Sequence, residues 1–89
     1  MKLKYHFVVR EVAGSTVAVA VGATDGGFTG MLKLNPTGAF LLELLNTRHY
    51  SKEELLEAML HRYDVTRERA EANLNNFLQI LRDGNLLEN

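Results

Sequence analysis

The period of apolar and polar positions changes near Asn35. Before it, two β-rich runs, Phe7–Val12 and Thr16–Val21, flank Ala13-Gly14-Ser15. Two such runs joined by a short glycine-containing connection predict a hairpin. In the second run Val17, Val19 and Val21 share one face, opposite Thr16, Ala18 and Ala20, because side chains alternate along a strand. The first run alternates less cleanly, since Val8 and Val9 are adjacent. The segment from Gly22 to Gly27 reads as a turn or loop. A third strand is expected over Phe28–Leu34, with Phe28, Gly30, Leu32 and Leu34 on one face and Thr29, Met31 and Lys33 on the other.

After Asn35 the period is helical. Asn35-Pro36 is a start signal: Asn caps the first free amides, and Pro is tolerated at the first helical position. The first helix is expected over Pro36–Leu45. Its apolar residues nearly encircle it, which predicts a central, buried helix. Asn46-Thr47 is read as a left-handed stop, since Asn tolerates positive φ. Ser51-Lys52-Glu53-Glu54 has the form of a capping box, in which Ser caps and Glu54 reaches back. The second helix then runs to about Tyr63, with Leu55, Leu56, Met59, Leu60 and Tyr63 as its core stripe. Thr66 can cap a third helix over Arg67–Asp83, with Ala70, Leu74, Phe77, Leu78 and Leu81 inward. Gly84 would end it, and Leu86-Leu87 would pack back beneath. The fold class is therefore α+β, in the order βββααα: a three-stranded antiparallel sheet followed by a three-helix bundle, winged-helix-like in outline.

Composition narrows the function. The chain has 89 residues, enough for one domain over residues 1–89 and too few for a second. It has no cysteine, which excludes disulfides, zinc–thiolate sites and a cysteine nucleophile. No run approaches the length of a membrane span, and the apolar stretch behind MKLKYHF is broken by Arg10 and Glu11. No signal peptide is read, so the expected compartment is the cytoplasm. The histidines His6, His49 and His61 lie in three different segments with no ligand-like spacing, so no metal site is expected. Ser15 and Ser51 have turn and cap explanations. Four glycines between Gly22 and Gly30 lack the GxxxxGK[ST] spacing of a phosphate loop. No nucleophile, metal set or acid–base pair emerges, so the expectation is no enzyme and no cofactor.

The net charge of −1 hides an asymmetry. Up to Asn35, Lys2, Lys4, Arg10 and Lys33 face Glu11 and Asp25, a balance of +2; beyond it, six Lys+Arg face nine Asp+Glu, a balance of −3. A winged-helix DNA reader would use the third helix, where Arg67, Arg69 and Arg82 alternate with Glu68, Glu71 and Asp83. An acidic helical half repels phosphates, so nucleic acid is not the expected partner, nor, without a span, is a membrane; a winged-helix DNA-binding regulator stays as the alternative reading, beside an oligomerisation module. What remains is a sheet edge. With the strands in chain order the third is an edge strand, and Lys33 alone guards it against pairing. Three uses of that edge stay open: an extended peptide could add as a further strand, a second copy could close it in a homodimer, or Lys33 could suffice to protect it. On the third helix Asn73, Asn76 and Ile80 are not needed by the core stripe.

Across the whole chain the pattern resembles the PqqD-like proteins, also called RiPP precursor-peptide recognition elements. The matching features are Phe7–Arg10, the junction Leu34-Asn35-Pro36-Thr37-Gly38-Ala39, Leu44-Leu45, Ser51–Leu55 and Tyr63-Asp64-Val65. Phe77-Leu78 with Leu81, and Gly84-Asn85-Leu86-Leu87, complete the set. Asn46-Thr47 stands where the family often has Gly, and Asn73 where it often has an acidic residue. The resemblance implies a non-enzymatic adaptor that binds the leader segment of a ribosomally made precursor peptide as an extra strand. It implies presentation of that peptide to a modifying enzyme, often a radical-SAM enzyme, in pyrroloquinoline quinone or other peptide-derived biosynthesis. Carried onto this chain, the groove would comprise Thr29, Gly30, Met31, Leu32, Lys33 and Leu34 on one side. Arg69, Asn73, Asn76, Phe77 and Ile80 would form the other.

Overall fold

The computed structural model describes residues 1–21 and 31–88. Its elements, in chain order, are β1 (Lys2–Leu3), β2 (His6–Val12), β3 (Ser15–Val21), β4 (Met31–Leu34), α1 (Pro36–Thr47), α2 (Lys52–Arg62), α3 (Arg67–Asp83) and β5 (Leu87–Glu88). Strands β2, β3 and β4 form an antiparallel sheet in that order, so β2 and β4 are its edges. The α+β, winged-helix-like arrangement expected from the sequence is what forms. The third strand is described from Met31 onward; Thr29, Gly30 and the glycine-rich connection before them lie outside the described residues.

The hairpin between β2 and β3 is tighter than the sequence suggested. Val12 pairs with Ser15, so the turn is Ala13-Gly14 alone, with φ of 51° and 81°. Two consecutive positive φ values suit the right-handed twist of the flanking strands. Ala13 adopts this conformation without glycine's freedom, at a cost of about 1–2 kcal/mol.

One face of the sheet carries Phe7, Val9, Ala18, Ala20, Leu32 and Leu34 toward the core. Helix α1 lies against it, and Leu41, Leu42 and Leu45 are buried. Helices α2 and α3 close the core with Leu55, Leu56 and Met59 from one, and Ala70, Leu74, Phe77, Leu78 and Leu81 from the other. Leu60 and Tyr63, also read as α2 core, are only half-buried at its margin.

The helix starts follow the local sequence. Asn35 Oδ1 accepts from the Gly38 N–H at 2.7 Å, and Thr66 Oγ1 from Arg69 N–H at 3.2 Å. Ser51 and Glu54 form the reciprocal capping box. One expected helix end needs correction. Helix α1 does not stop at Leu45 with Asn46 left-handed; it continues through Thr47 and ends at Arg48 in extended conformation. The α3 end is as expected, capped by Gly84, which keeps right-handed φ while Asn85 takes the positive φ of 56°. The Leu86 N–H then reaches Leu81 O, and Asn85 N–H reaches Arg82 O, each at 2.9 Å. This is a Schellman ending with Asn at the left-handed position. It turns the fully buried Leu86 beneath the helix and delivers β5 to β1.

Candidate functional site: an open strand edge beside the last helix

The two sheet edges differ in what meets them. Asn46, freed from the helix-stop role, reaches from α1 to β2. Its Oδ1 accepts from Phe7 N–H at 3.1 Å, and its Nδ2 donates to Phe7 O at 2.7 Å. One side-chain amide thus bonds both main-chain groups of Phe7, as a neighbouring strand would. Those groups therefore point away from β3.

This contact fixes the hydrogen-bond pattern of the whole sheet. In an antiparallel ladder, residues alternate between pairs that exchange both bonds and pairs whose groups point outward. Phe7 opposes Ala20, and the register runs without interruption to Val12–Ser15. Val8–Val19 and Arg10–Val17 are then bonded pairs, as is Val12–Ser15, which a two-residue hairpin also requires. Val19 and Val17 spend their groups on β2, so it is Ala18 and Thr16 that bond β4, through Leu32 and Leu34. The N–H and C=O groups of Met31 and Lys33 consequently face away from the sheet. Among the described residues no strand lies on that side of β4.

Beside this edge runs a cleft of about 70 Å³, lined by Lys33, Leu34, Asn35, Thr37, Gly38, Asn73, Asn76, Phe77 and Ile80. The structure thus brings β4 and α3 together at Lys33, Leu34, Asn73, Asn76, Phe77 and Ile80. Phe77 and Leu34 are its buried floor, whereas Asn73, Asn76 and Ile80 are exposed on its wall. Met31 is 65% exposed on the outer face, and Leu32 is half-buried against the core. Arg69 is exposed on α3 one turn before Asn73 and does not line the cleft. Asn35, Thr37 and Gly38 were absent from the residues expected there. They enter because α1 begins directly after β4, so its first turn must flank the strand's end. A Cβ on Gly38 would lie 3.2 Å from Asn35 Oδ1 and 3.3 Å from Leu34 Cδ2, so the close strand-to-helix junction is built around glycine.

Other chemistry is sparse. His6, His49 and His61 are all exposed, and among the described residues no three His, Cys, Asp or Glu side chains could share a metal ion. No helix among them is long and apolar enough to cross a membrane. Of the α3 arginines, Arg67 is drawn to α2, with nitrogens 3.4 Å from Glu53 and 3.2 Å from Glu57. The Glu54 carboxyl is held below its ordinary value, chiefly by the Ser51 main-chain N–H and also by Arg48.

The sheet, the helices and this cleft define a winged-helix-like α+β domain in which, among the described residues, the β4 edge lies open beside the last helix. The chain belongs to the PqqD family, coenzyme PQQ synthesis protein D, whose family model matches residues 16–87. Its fold is similar to that of TbiB1, solved in complex with the TbiA(beta) leader peptide. The two are 25% identical, with a TM-score of 0.70, over 99% of this chain and 95% of that one. It is also similar to a lasso peptide synthetase B1 complexed with the leader peptide, at 21% identity and a TM-score of 0.64, over 96% and 93% of the two chains. No curated protein sequence matches the chain.

Proposed function

We propose that this chain, acting as one domain, is a non-enzymatic adaptor for a ribosomally made precursor peptide. The leader segment adds as a further strand along β4, lies against α3, and is presented to a modifying enzyme of the radical-SAM type. The product is pyrroloquinoline quinone or another peptide-derived compound. The observation that carries this reading is the outward-facing main chain of Met31 and Lys33, set beside a cleft with Phe77 as its floor. Main-chain bonds supply affinity in strand addition, and flanking side chains supply specificity. Membership of the PqqD family and the likeness to TbiB1, itself bound to a leader peptide, support it. Titrating the isotope-labelled chain with its precursor peptide should concentrate shifts in β4 and α3. Shifts confined to the surroundings of His6, His49 and His61, or no shifts, would overturn the reading.

A further inference from the structure

The edge is electrically one-sided. Lys33 is exposed on the outer face of β4, and among the described residues it is the only charged one lining the cleft. The first turn of α1, which lines the same cleft, contains no acidic residue, whereas α2 and α3 carry Glu53, Glu54 and Glu68 in theirs. Across the sheet, Val17 opposes both Lys33 and Arg10. The outer face therefore carries Lys33 at the open edge and Arg10 two strands away on β2, among Val8, Val12, Val17, Val19, Val21 and Met31, with no carboxylate among its described residues. The inner side has the opposite character. Next to Lys33, Leu32 and Leu34 turn inward, and α3 supplies Asn73, Asn76, Phe77 and Ile80, none of them charged.

A strand added to β4 inherits this alternation, because its side chains point to the two faces in turn. The residue facing Lys33 sits on the outer, cationic side, and its two chain neighbours turn toward α3. We infer that the leader taken at this edge carries a carboxylate at the position facing Lys33, between two uncharged residues. One of these uncharged neighbours lies against the cleft between β4 and α3, over Phe77. The inference rests on the strand-addition reading and adds the side-chain chemistry that selects the peptide. Lys33, read on its own as a guard against unwanted pairing, becomes the residue that chooses the partner: it repels basic strands and pairs with acidic ones.

The test needs no known leader. Short random peptides on phage are selected against the wild-type chain, Lys33→Glu, Lys33→Arg and Met31→Pro. Lys33 is exposed, so all its variants should melt like the wild type. Wild-type and Lys33→Arg pools should be enriched in Asp or Glu between uncharged residues, and the Lys33→Glu pool in Lys or Arg at that position. A peptide selected on the wild type should bind Lys33→Glu on the order of tenfold more weakly, the change from an attractive to a repulsive cross-strand pair. Peptides that lose binding with Met31→Pro, yet show no acidic enrichment and bind Lys33→Glu equally well, would overturn the inference and leave strand addition standing. Peptides indifferent to Met31→Pro, or no enriched pool at all, would overturn both.

Discussion

Strands β2 and β4 are the two edges of one small sheet, yet only β2 has part of its main chain, at Phe7, bonded by a helix side chain. Asn46 bonds both groups of Phe7, so a strand approaching β2 there would have to displace an intramolecular amide. At β4 the outward groups of Met31 and Lys33 have no neighbouring strand among the described residues, and a cleft runs alongside. An edge left open is normally a liability that proteins blunt. Asn46 blocks a strand only at the Phe7 end of β2, where α1 meets the sheet; what sets β4 apart is the cleft formed with α3 beside its outward groups.

The sharpest way to break this contrast is proline scanning along β4. Leu32→Pro removes an N–H that bonds Ala18 inside the sheet, and should cost about 3 kcal/mol or more in denaturant unfolding. Met31→Pro removes an outward N–H instead. It should leave the melting curve nearly unchanged while weakening peptide binding at least tenfold, with Met31→Ala much milder. If the two prolines destabilise equally, the assigned hydrogen-bond pattern is wrong.

Next in size is the closed edge. Asn46→Ala should lower unfolding stability by about 2 kcal/mol, through two lost hydrogen bonds to part-buried groups, without changing affinity at β4. A smaller gain is expected at the far end of the same hairpin. Ala13→Asn should raise stability by about 1 kcal/mol, because Asn accepts the positive φ that strains Ala. The smallest effect lies at the start of α2. The folded state holds Glu54 below its ordinary carboxyl value, so the unfolded chain binds the proton more readily and stability falls as the pH drops from the ordinary carboxylate range through the lowered one. Glu54→Gln should flatten that slope in an acid titration followed by circular dichroism.

How much of this was legible in the sequence depends on how local the determining forces are. Helix α3 begins and ends where its period and caps placed it, and its five inward residues are the five buried ones. A long amphipathic stripe decides such a helix by itself. Asn46 reads as a helix stop in the sequence because its partner, Phe7, lies 39 residues away and leaves no periodic trace. The hairpin boundary was off by one residue at Ser15, a small error with a large consequence. In a ladder of period two, one residue of slip exchanges inward and outward groups, and with them the identity of the groups that β4 offers. The two-residue strands β1 and β5 are too short for any alternation to be seen. The α3 wall of the site was legible as asparagines and an isoleucine that the core did not need. The α1 contribution required knowing how closely the helix follows the strand.

Amide hydrogen exchange at β4, with and without the precursor peptide, tests the central claim most directly. In the free chain Leu32 and Leu34 amides, bonded to β3, should exchange more slowly than those of Met31 and Lys33. Binding should slow Met31 and Lys33 selectively. New protection on β2 instead, or peptide binding that leaves Met31 and Lys33 as exchangeable as before, would contradict the account.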